Sequence, residues 1–194
     1  MKRLFIAIEL PQQLIKDLEK ELEEIKKGLK NLSIKWVKPS NFHITLAFLG
    51  YKEEEKIKEI SEIVKNCCYF PQFEILFKNL GVFPTISRAR VIWIGLEDPT
   101  GILKNLSSRL RDQLRKAGFF EEEKDFMPHL TLGRIKRKLN LKEKTLLEAI
   151  LKKYENFNFG KLKAEKIALF ESKLSPSGPT YFKLEEFPLK DTNS

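Results

Sequence analysis

The segment that decides the fold spans residues 43–49, His-Ile-Thr-Leu-Ala-Phe-Leu, and residues 129–132 repeat its start as His-Leu-Thr-Leu. The two copies contain both histidines of the chain, and each carries a threonine two positions after its histidine. Residues i and i+2 of a β-strand share a face, so each copy predicts a strand that presents an imidazole and a hydroxyl together. The side chains expected to point the other way, into a core, are Ile44, Leu46, Phe48, Leu130 and Leu132.

Hydrophobic periodicity places these two strands, near 42–49 and 128–135, among helices and other strands. Apolar residues at helical spacing predict four amphipathic helices, which begin at Pro11 and after Thr100 or cover about 53–66 and 142–154. Short apolar runs predict further strands near 3–10, 33–37, 72–80, 89–96, 157–163, 165–172 and 180–186, with a loop at 175–179. This mixture predicts an α+β or α/β class with largely antiparallel sheets.

Length and composition limit the classes of protein that fit. A chain of 194 residues with 42% hydrophobic and 32% charged residues predicts one globular domain and excludes a disordered chain, a fibrous repeat or a disulfide scaffold. No apolar run approaches the roughly 18–20 residues of a membrane span, and Glu9 and Pro11 interrupt the apolar N-terminus, so neither a membrane protein nor a signal peptide is expected. The adjacent Cys67 and Cys68 have no spaced partners for zinc and are interpreted as reduced thiols, which favours a cytoplasmic location.

Two imidazoles and two hydroxyls that face one groove would suit in-line phosphoryl chemistry. One neutral imidazole can take a proton from water while an imidazolium on the opposite side protonates the leaving oxygen. Threonine hydroxyls can donate to the non-bridging phosphate oxygens, where charge sits in the transition state. This chemistry needs no metal, and two histidines with two threonines make a poor metal site. The net charge of +9 favours a polyanionic partner such as nucleic acid, although lysine-rich solvated helix surfaces produce a similar excess.

The context of both motifs resembles the 2H phosphoesterase superfamily, which is defined by two His-x-Thr-x motifs, and within it the RNA 2′,3′-cyclic phosphodiesterase, or 2′-5′ RNA ligase, group. The resemblance covers nearly the whole chain, and the paired motifs in this context are specific, whereas any one segment alone would be weak. The matching segments are 3–11 (RLFIAIELP), 36–37 (WV), 41–50 (NFHITLAFLG), 81–84 (GVFP), 90–95 (RVIWIG), 126–134 (FMPHLTLGR) and 178–181 (GPTY).

The resemblance implies a single bilobal domain over residues 1–194, and a monomer suits such a domain. Two pseudo-symmetric antiparallel sheets, flanked by helices, would enclose a central groove lined by one motif from each sheet. The implied activity opens a terminal 2′,3′-cyclic phosphate on RNA to a 2′-phosphomonoester without metal or cofactor, and 2′-5′ ligation is the reverse direction. Carry-over of motif order makes His43 the proton donor and His129 the proton acceptor, while Thr45 and Thr131 would hold the phosphate oxygens.

Five further residues are candidates for substrate binding. Arg134 resembles a family arginine that could bind phosphate, but strict alternation from His129 turns it to the opposite face unless a bulge at Gly133 re-aims it. Four aromatic residues could stack on a base, although an aromatic residue in an apolar strand is more often core: Phe42, Phe83, Trp93 and Tyr181. Trp36 is expected to pack. The basic run of Arg134, Lys136, Arg137 and Lys138 is expected to be a solvated turn, with contact to RNA phosphates as the alternative.

Two other functions stay open at this point. A non-catalytic RNA-end-binding protein would explain the charge, but it has no need for two imidazoles. A phosphodiesterase of the same fold could act instead on small cyclic nucleotides, on ADP-ribose cyclic phosphate or on 2′-5′ oligonucleotides, and the basic charge favours a polymer only modestly. The RNA itself, whether tRNA fragments or another RNA, is left open by the sequence.

Overall fold

A computed structural model describes residues 1–121, 126–176 and 178–191 of the chain. Within these ranges the chain forms two antiparallel sheets and four α-helices, which confirms the α+β class. The helices are α1 (Gln12–Gly28), α2 (Ile57–Cys67), α3 (Ile102–Lys116) and α4 (Leu141–Lys153). The strands are β1 (Lys2–Glu9), β2 (Ile34–Trp36), β3 (His43–Lys52), β4 (Phe73–Phe83), β5 (Val91–Glu97), β6 (His129–Ile135), β7 (Asn158–Ala164), β8 (Lys166–Ser175) and β9 (Gly178–Pro188).

The two motif strands belong to different sheets. Sheet A has the strand order β3-β1-β8-β9, and sheet B has the order β2-β6-β5-β4-β7. Helices α2 and α3 pack beside sheet A, through β9 and β3, while α1 and α4 pack beside sheet B, through β7 and β4. Strands β3 and β6 contact each other where the sheets meet. The predicted arrangement, two antiparallel sheets with flanking helices and one motif in each, is therefore confirmed.

The helices form where the apolar periodicity predicts them, because each buries one stripe of side chains. In α1 that stripe is Leu14, Leu18, Leu22 and Ile25, and Pro11 stands just before the first turn, where its missing N–H costs nothing. Buried side chains from both sheets and all four helices form one contiguous cluster among the described residues. None of the described helices combines the length and apolar character that crossing a membrane requires.

The loop expected at 175–179 is shorter in the structure than predicted. Strand β8 continues to Ser175, Pro176 is in a turn and β9 begins at Gly178, so the two strands form a hairpin. Ser177 of the expected loop lies outside the described residues. Pro179 pairs with Leu174 inside this hairpin. A proline is tolerated there because β9 is the outer strand of sheet A and needs no ladder bond on its free side.

Strands β3 and β6 carry a bulge at the same place in their motifs. The pairing of β3 with β1 skips Leu46, and the pairing of β6 with β5 skips Leu132. A bulge adds one residue to a strand, so the alternation of faces reverses beyond it. The expectation that Phe48 faces the core is wrong for this reason: its side chain is 40% exposed and lies on the same face as the histidine of its strand. The bulge lies at Leu132, one residue before the position expected at Gly133, and it turns Arg134 to the face of His129.

Each bulge leaves a backbone carbonyl that needs a donor from outside the strand pair. In sheet B, β2 lies outside β6, and the N–H of Val37 donates to the Leu132 carbonyl oxygen at 2.8 Å. Strand β3 is the outer strand of sheet A, so side chains of α3 take over this task. Ser107 Oγ and Arg111 Nε donate to the Leu46 carbonyl oxygen at 3.1 and 2.8 Å. A buried unpaired carbonyl costs about 1–3 kcal/mol, so these donors stabilise the bulges.

A methyl group at Gly133 tests how tightly β2 covers the bulge in β6. The added Cβ would lie 2.8 Å from Ile34 Cγ2 and 2.9 Å from Trp36 Cε3, closer than carbon atoms pack. We expect Gly133→Ala to lower the free energy of unfolding by about 1–3 kcal/mol, as overpacking does. Urea unfolding followed by circular dichroism measures this change. An unfolding midpoint equal to that of the wild type would contradict the tight packing of β2 on β6.

Candidate active site

Both motif faces line one groove between the sheets. His43 and Thr45 from sheet A and His129 and Thr131 from sheet B line a cavity of about 310 Å³. This volume is at the lower end of the roughly 300–1,000 Å³ found for small-molecule sites, and it suits the end of a nucleic acid better than its whole length. The structure therefore brings the four motif residues together, as the sequence predicts.

The same backbone contact orients both imidazoles. Nδ1 of His43 lies 2.7 Å from the carbonyl oxygen of Asn41, and Nδ1 of His129 lies 2.7 Å from the carbonyl oxygen of Met127. A carbonyl oxygen only accepts, so each Nδ1 carries a hydrogen and donates it. The Nε2 atom of each ring is left to take up or release a proton. Each imidazole can therefore act as an acid when charged and as a base when neutral.

Aromatic rings pack against both imidazoles. The ring of His43 lies 4.9 Å from that of Phe5 and meets Tyr181 edge-on at 5.0 Å. The ring of His129 meets Phe83 edge-on at 5.0 Å. Side chains in such contacts hold their rotamers, so the aromatic rings help to fix the two imidazoles and reduce their contact with water.

Burial lowers the pKa of both histidines. For His43, burial outweighs the bond to the Asn41 carbonyl, which raises the pKa, and the charge of His129 lowers it further. For His129, burial outweighs the bond to the Met127 carbonyl, and the Arg134 guanidinium lowers the pKa further. The Arg134 guanidinium distinguishes the surroundings of the two imidazoles, because its charge acts on His129.

Two of the five binding candidates, Arg134 and Tyr181, line the groove. Arg134 follows the bulge in β6 and is exposed, opposite Lys35 in β2. Burial raises the pKa of the Tyr181 phenol, while the positive charges of Arg3 and Arg134 lower it. The phenol therefore stands within the field of one arginine from each sheet.

The other three candidates do not reach the groove. Phe42 is 5% exposed and belongs to the core. Phe83 and Trp93 are half-buried with their rings 4.9 Å apart, and Trp93 lies over Gly81. Of these three, Phe83 contacts His129, so it supports that imidazole from the side. Sequence periodicity identifies each as a strand aromatic but cannot tell a groove wall from the packing beside it.

Trp36 and the basic run of Arg134, Lys136, Arg137 and Lys138 take different places. Trp36 packs against the core, as expected, and also lines the groove. Of the basic run, Arg134 lines the groove, whereas Lys136, Arg137 and Lys138 are not in its lining. Arg137 is engaged by Glu143, with Nη1–Oε2 and Nη2–Oε1 distances of 2.9 and 2.5 Å. Glu143 also completes the cap of α4 with Asn140, so Arg137 helps to hold the residue that caps this helix.

Several residues of the groove escaped the sequence reasoning. The alternation of β1, which buries Leu4 and Ile6 in the core, was a usable signal for the opposite face that carries Arg3 and Phe5. The place of Phe48 depends on the bulge and had no local signal. The missed side chains are Arg3, Phe5, Lys35, Lys38, Asn41 and Phe48.

Two antiparallel sheets that present matched His-x-Thr pairs to one groove define a 2H phosphoesterase. A model of the family described as the AKAP7 2′5′ RNA ligase-like domain matches residues 4–189. The chain belongs to this family, that of the RNA 2′,3′-cyclic phosphodiesterases, also called 2′-5′ RNA ligases. The resemblance stated from the motifs is thereby confirmed.

Individual relatives match over almost their whole length. The chain is 37% identical over 189 residues to the RNA 2′,3′-cyclic phosphodiesterase of Archaeoglobus fulgidus, covering 95% of this chain and 99% of that protein. It is 41% identical over 181 residues to the protein of the same name from Aquifex aeolicus, covering 90% and 92%. The crystal structure of E. coli LigT complexed with 3′-AMP superimposes with a TM-score of 0.78 at 26% identity, covering 97% and 98%.

The two imidazoles offer a direct test of the electrostatics, because the chain has only two histidines. We expect both to titrate below the ordinary histidine pKa of about 6.5 in an NMR pH titration, since burial disfavours the charged ring. Removal of the nearby cation in Arg134→Gln should raise the pKa of His129. Arg115→Gln, on the surface of α3, is the matched control. A His129 titration that is the same in Arg134→Gln as in the wild type would contradict the proximity of these two groups.

Proposed function

We propose that the protein hydrolyses the terminal 2′,3′-cyclic phosphodiester of RNA to a 2′-phosphomonoester. The observation that carries the proposal is the pair of imidazoles in one groove, each oriented through Nδ1 and each with a threonine hydroxyl beside it. The names of the Archaeoglobus and Aquifex relatives, RNA 2′,3′-cyclic phosphodiesterase, support the same activity.

In this proposal His129 is the base and His43 is the acid. Nε2 of His129 takes a proton from water, and the water oxygen attacks phosphorus. As the bond from phosphorus to O3′ breaks, Nε2–H of His43 protonates O3′, which leaves a 2′-phosphate and a free 3′-hydroxyl. Arg134 supports this assignment because it lowers the pKa of His129 and so favours its neutral form. Each acid or base role contributes typically 10²–10⁴-fold to the rate.

The remaining polar groups of the groove would bind the phosphate. The hydroxyls of Thr45 and Thr131 would donate to the two non-bridging oxygens, one from each sheet. The Arg134 guanidinium would balance their charge. A bound anion also favours the charged form of His43, which offsets the effect of burial on its pKa. Tyr181 stays a candidate for contact with the ribose or the base.

The proposal needs neither a metal nor a cofactor. The Nδ1 atoms of the two imidazoles are already bound to carbonyls, and the described part of the groove lining holds hydroxyls and no carboxylate. In this proposal the imidazoles perform both proton-transfer steps themselves. Such a donor set also lacks the third strong ligand that zinc sites use. By microscopic reversibility, an RNA 5′-hydroxyl in place of water would run the reaction as 2′-5′ ligation.

We also propose that the whole chain works as one two-lobed unit and as a cytoplasmic monomer. The contiguous core that joins both sheets supports the single unit. Cys67 and Cys68 are buried and unpaired, as is usual in a reducing compartment.

Alanine at either histidine separates catalysis from binding. We expect His43→Ala and His129→Ala each to lower kcat by roughly 10²–10⁴-fold on an RNA with a 2′,3′-cyclic end, because each removes one proton-transfer group. Thr45→Ala and Thr131→Ala should lower it less. Thr145→Ala, on the exposed side of α4, is the matched control. Tight RNA binding by a wild-type protein that turns over no cyclic phosphate would favour the RNA-end-binding alternative instead.

Chelation and product analysis test the proton-transfer chemistry. We expect the rate to be the same with and without EDTA, since the two imidazoles perform both steps. ³¹P NMR against 2′- and 3′-phosphate standards should identify a 2′-phosphomonoester, because His43 protonates O3′, which is the leaving oxygen. Loss of activity on chelation would exclude the proposed mechanism, and a 3′-phosphate product would reverse the assignment of the leaving oxygen.

A further inference from the structure

Arg3 lies on the groove face of β1. It is near the end of β1 that is far from His43 and Thr45 of β3. Its Nη1 donates to Ser172 Oγ at 3.1 Å, and Ser172 is buried in β8. The guanidinium carbon lies 4.3 Å from the centroid of the Phe48 ring. Two contacts from two different strands thus hold this cation in place before any ligand arrives, and a cation held in this way loses little freedom on binding an anion.

No carboxylate neutralises Arg3 among residues 1–121, 126–176 and 178–191. The acidic neighbour Glu171 lies beside Lys2, at 3.8 Å, and Lys2 also pairs with Glu54 at 2.8 Å. Among the described residues, the groove lining contains four permanent cations and no acidic side chain; the cations are Arg3, Lys35, Lys38 and Arg134. A cyclic phosphate carries a single negative charge, so this excess of positive charge fits a ligand with further phosphates.

The two motif strands differ at one matched position. Counted from the bulge, Phe48 in β3 occupies the place that Arg134 occupies in β6. The sheet B half thus offers a bare cation next to His129, whereas the sheet A half offers an exposed ring with Arg3 on one of its faces. Proteins that bind single-stranded nucleic acids combine aromatic rings, on which bases stack, with cations that bind the phosphates. A ring with one open face beside a fixed guanidinium offers both.

We propose that Arg3 and Phe48 form a second subsite, which binds the nucleotide that precedes the cyclic end of an RNA strand. This proposal rests on the proposed function for the place of the reacting phosphate. The base of the preceding nucleotide stacks on the open face of Phe48, and its phosphodiester binds Arg3. The ligand class is therefore an RNA strand of at least two nucleotides, and a cyclic mononucleotide fills the groove only in part.

Binding measurements isolate this subsite from catalysis. The two probes are a labelled hexanucleotide RNA that ends in a 2′-phosphate and the corresponding mononucleotide 2′-phosphate as a competitor. In the wild type the hexanucleotide should bind more tightly than the mononucleotide. Phe48→Leu should weaken hexanucleotide binding by roughly 5- to 150-fold, the loss of one stacked base, and should lower the ratio of the two affinities. Arg3→Gln should lower the same ratio and reduce the slope of log Kd against log salt by about 0.7, the value of one phosphate contact.

Neighbouring side chains on the outer faces provide matched controls. Lys2→Gln removes the same charge one residue away, and Phe182→Leu removes an exposed ring next to Tyr181 in β9. Both should leave the affinity ratio at its wild-type value. Ser172→Ala removes the anchor of Arg3 without a change of charge, and it should lower the ratio less than Arg3→Gln. Unfolding midpoints of all variants show that each is folded.

Turnover of an RNA with a 2′,3′-cyclic end, measured alongside, keeps the two proposals apart. An affinity ratio that is unchanged in both Phe48→Leu and Arg3→Gln would overturn the subsite, even if the wild type hydrolyses cyclic ends. Equal wild-type affinities for the two probes would overturn it as well. A lowered ratio in a protein that shows no turnover would support the subsite and refute the proposed hydrolysis.

Discussion

The structure depends on one constraint, the need of two bulged strands to satisfy the carbonyl that each bulge frees. In β6 the neighbouring strand β2 provides the donor, the N–H of Val37. In β3, which has no strand on its outer side, Ser107 and Arg111 of α3 provide it. With these bonds the bulges persist, and they turn Phe48 and Arg134 into the groove. Without them strict alternation would return both side chains to the opposite face, and the groove would lose the Phe48 ring and the Arg134 cation.

The same packing sets the chemistry of the histidines. Each imidazole is held by a carbonyl two residues earlier and is flanked by aromatic rings, so it is both oriented and shielded from water. The shielding lowers the pKa of both rings, and Arg134 adds to this effect at His129 only. The two imidazoles thus share the same backbone contact but have different neighbours, since the Arg134 cation acts on His129.

The positive charge of the helix surfaces and that of the groove differ in whether acidic partners stand beside them. Three lysines in or beside the helices, Lys26, Lys27 and Lys56, pair on the surface with glutamates three residues away, and such pairs add little to stability. The groove, by contrast, has four cations and no acid among the lining residues that the structure describes. The net charge of +9 is thus a weaker indication of a polyanionic ligand than the position of the groove cations. Arg137, which belongs to the most basic run of the sequence, serves the cap of α4 through Glu143.

The sequence by itself determined the two His-x-Thr faces, the amphipathic helices and the family, because strand alternation, helix periodicity and motif spacing are local properties of the chain. It also indicated that Arg134 needs a bulge to reach the groove. Only the tertiary structure decided that the bulges exist, since their carbonyls are satisfied by β2 and α3, which lie far away in the chain. It also decided which aromatic side chains face the groove. Phe42, next to His43, is buried in the core, whereas Phe48 and Tyr181 form part of the wall, because burial depends on what packs across a strand and not on the residue type.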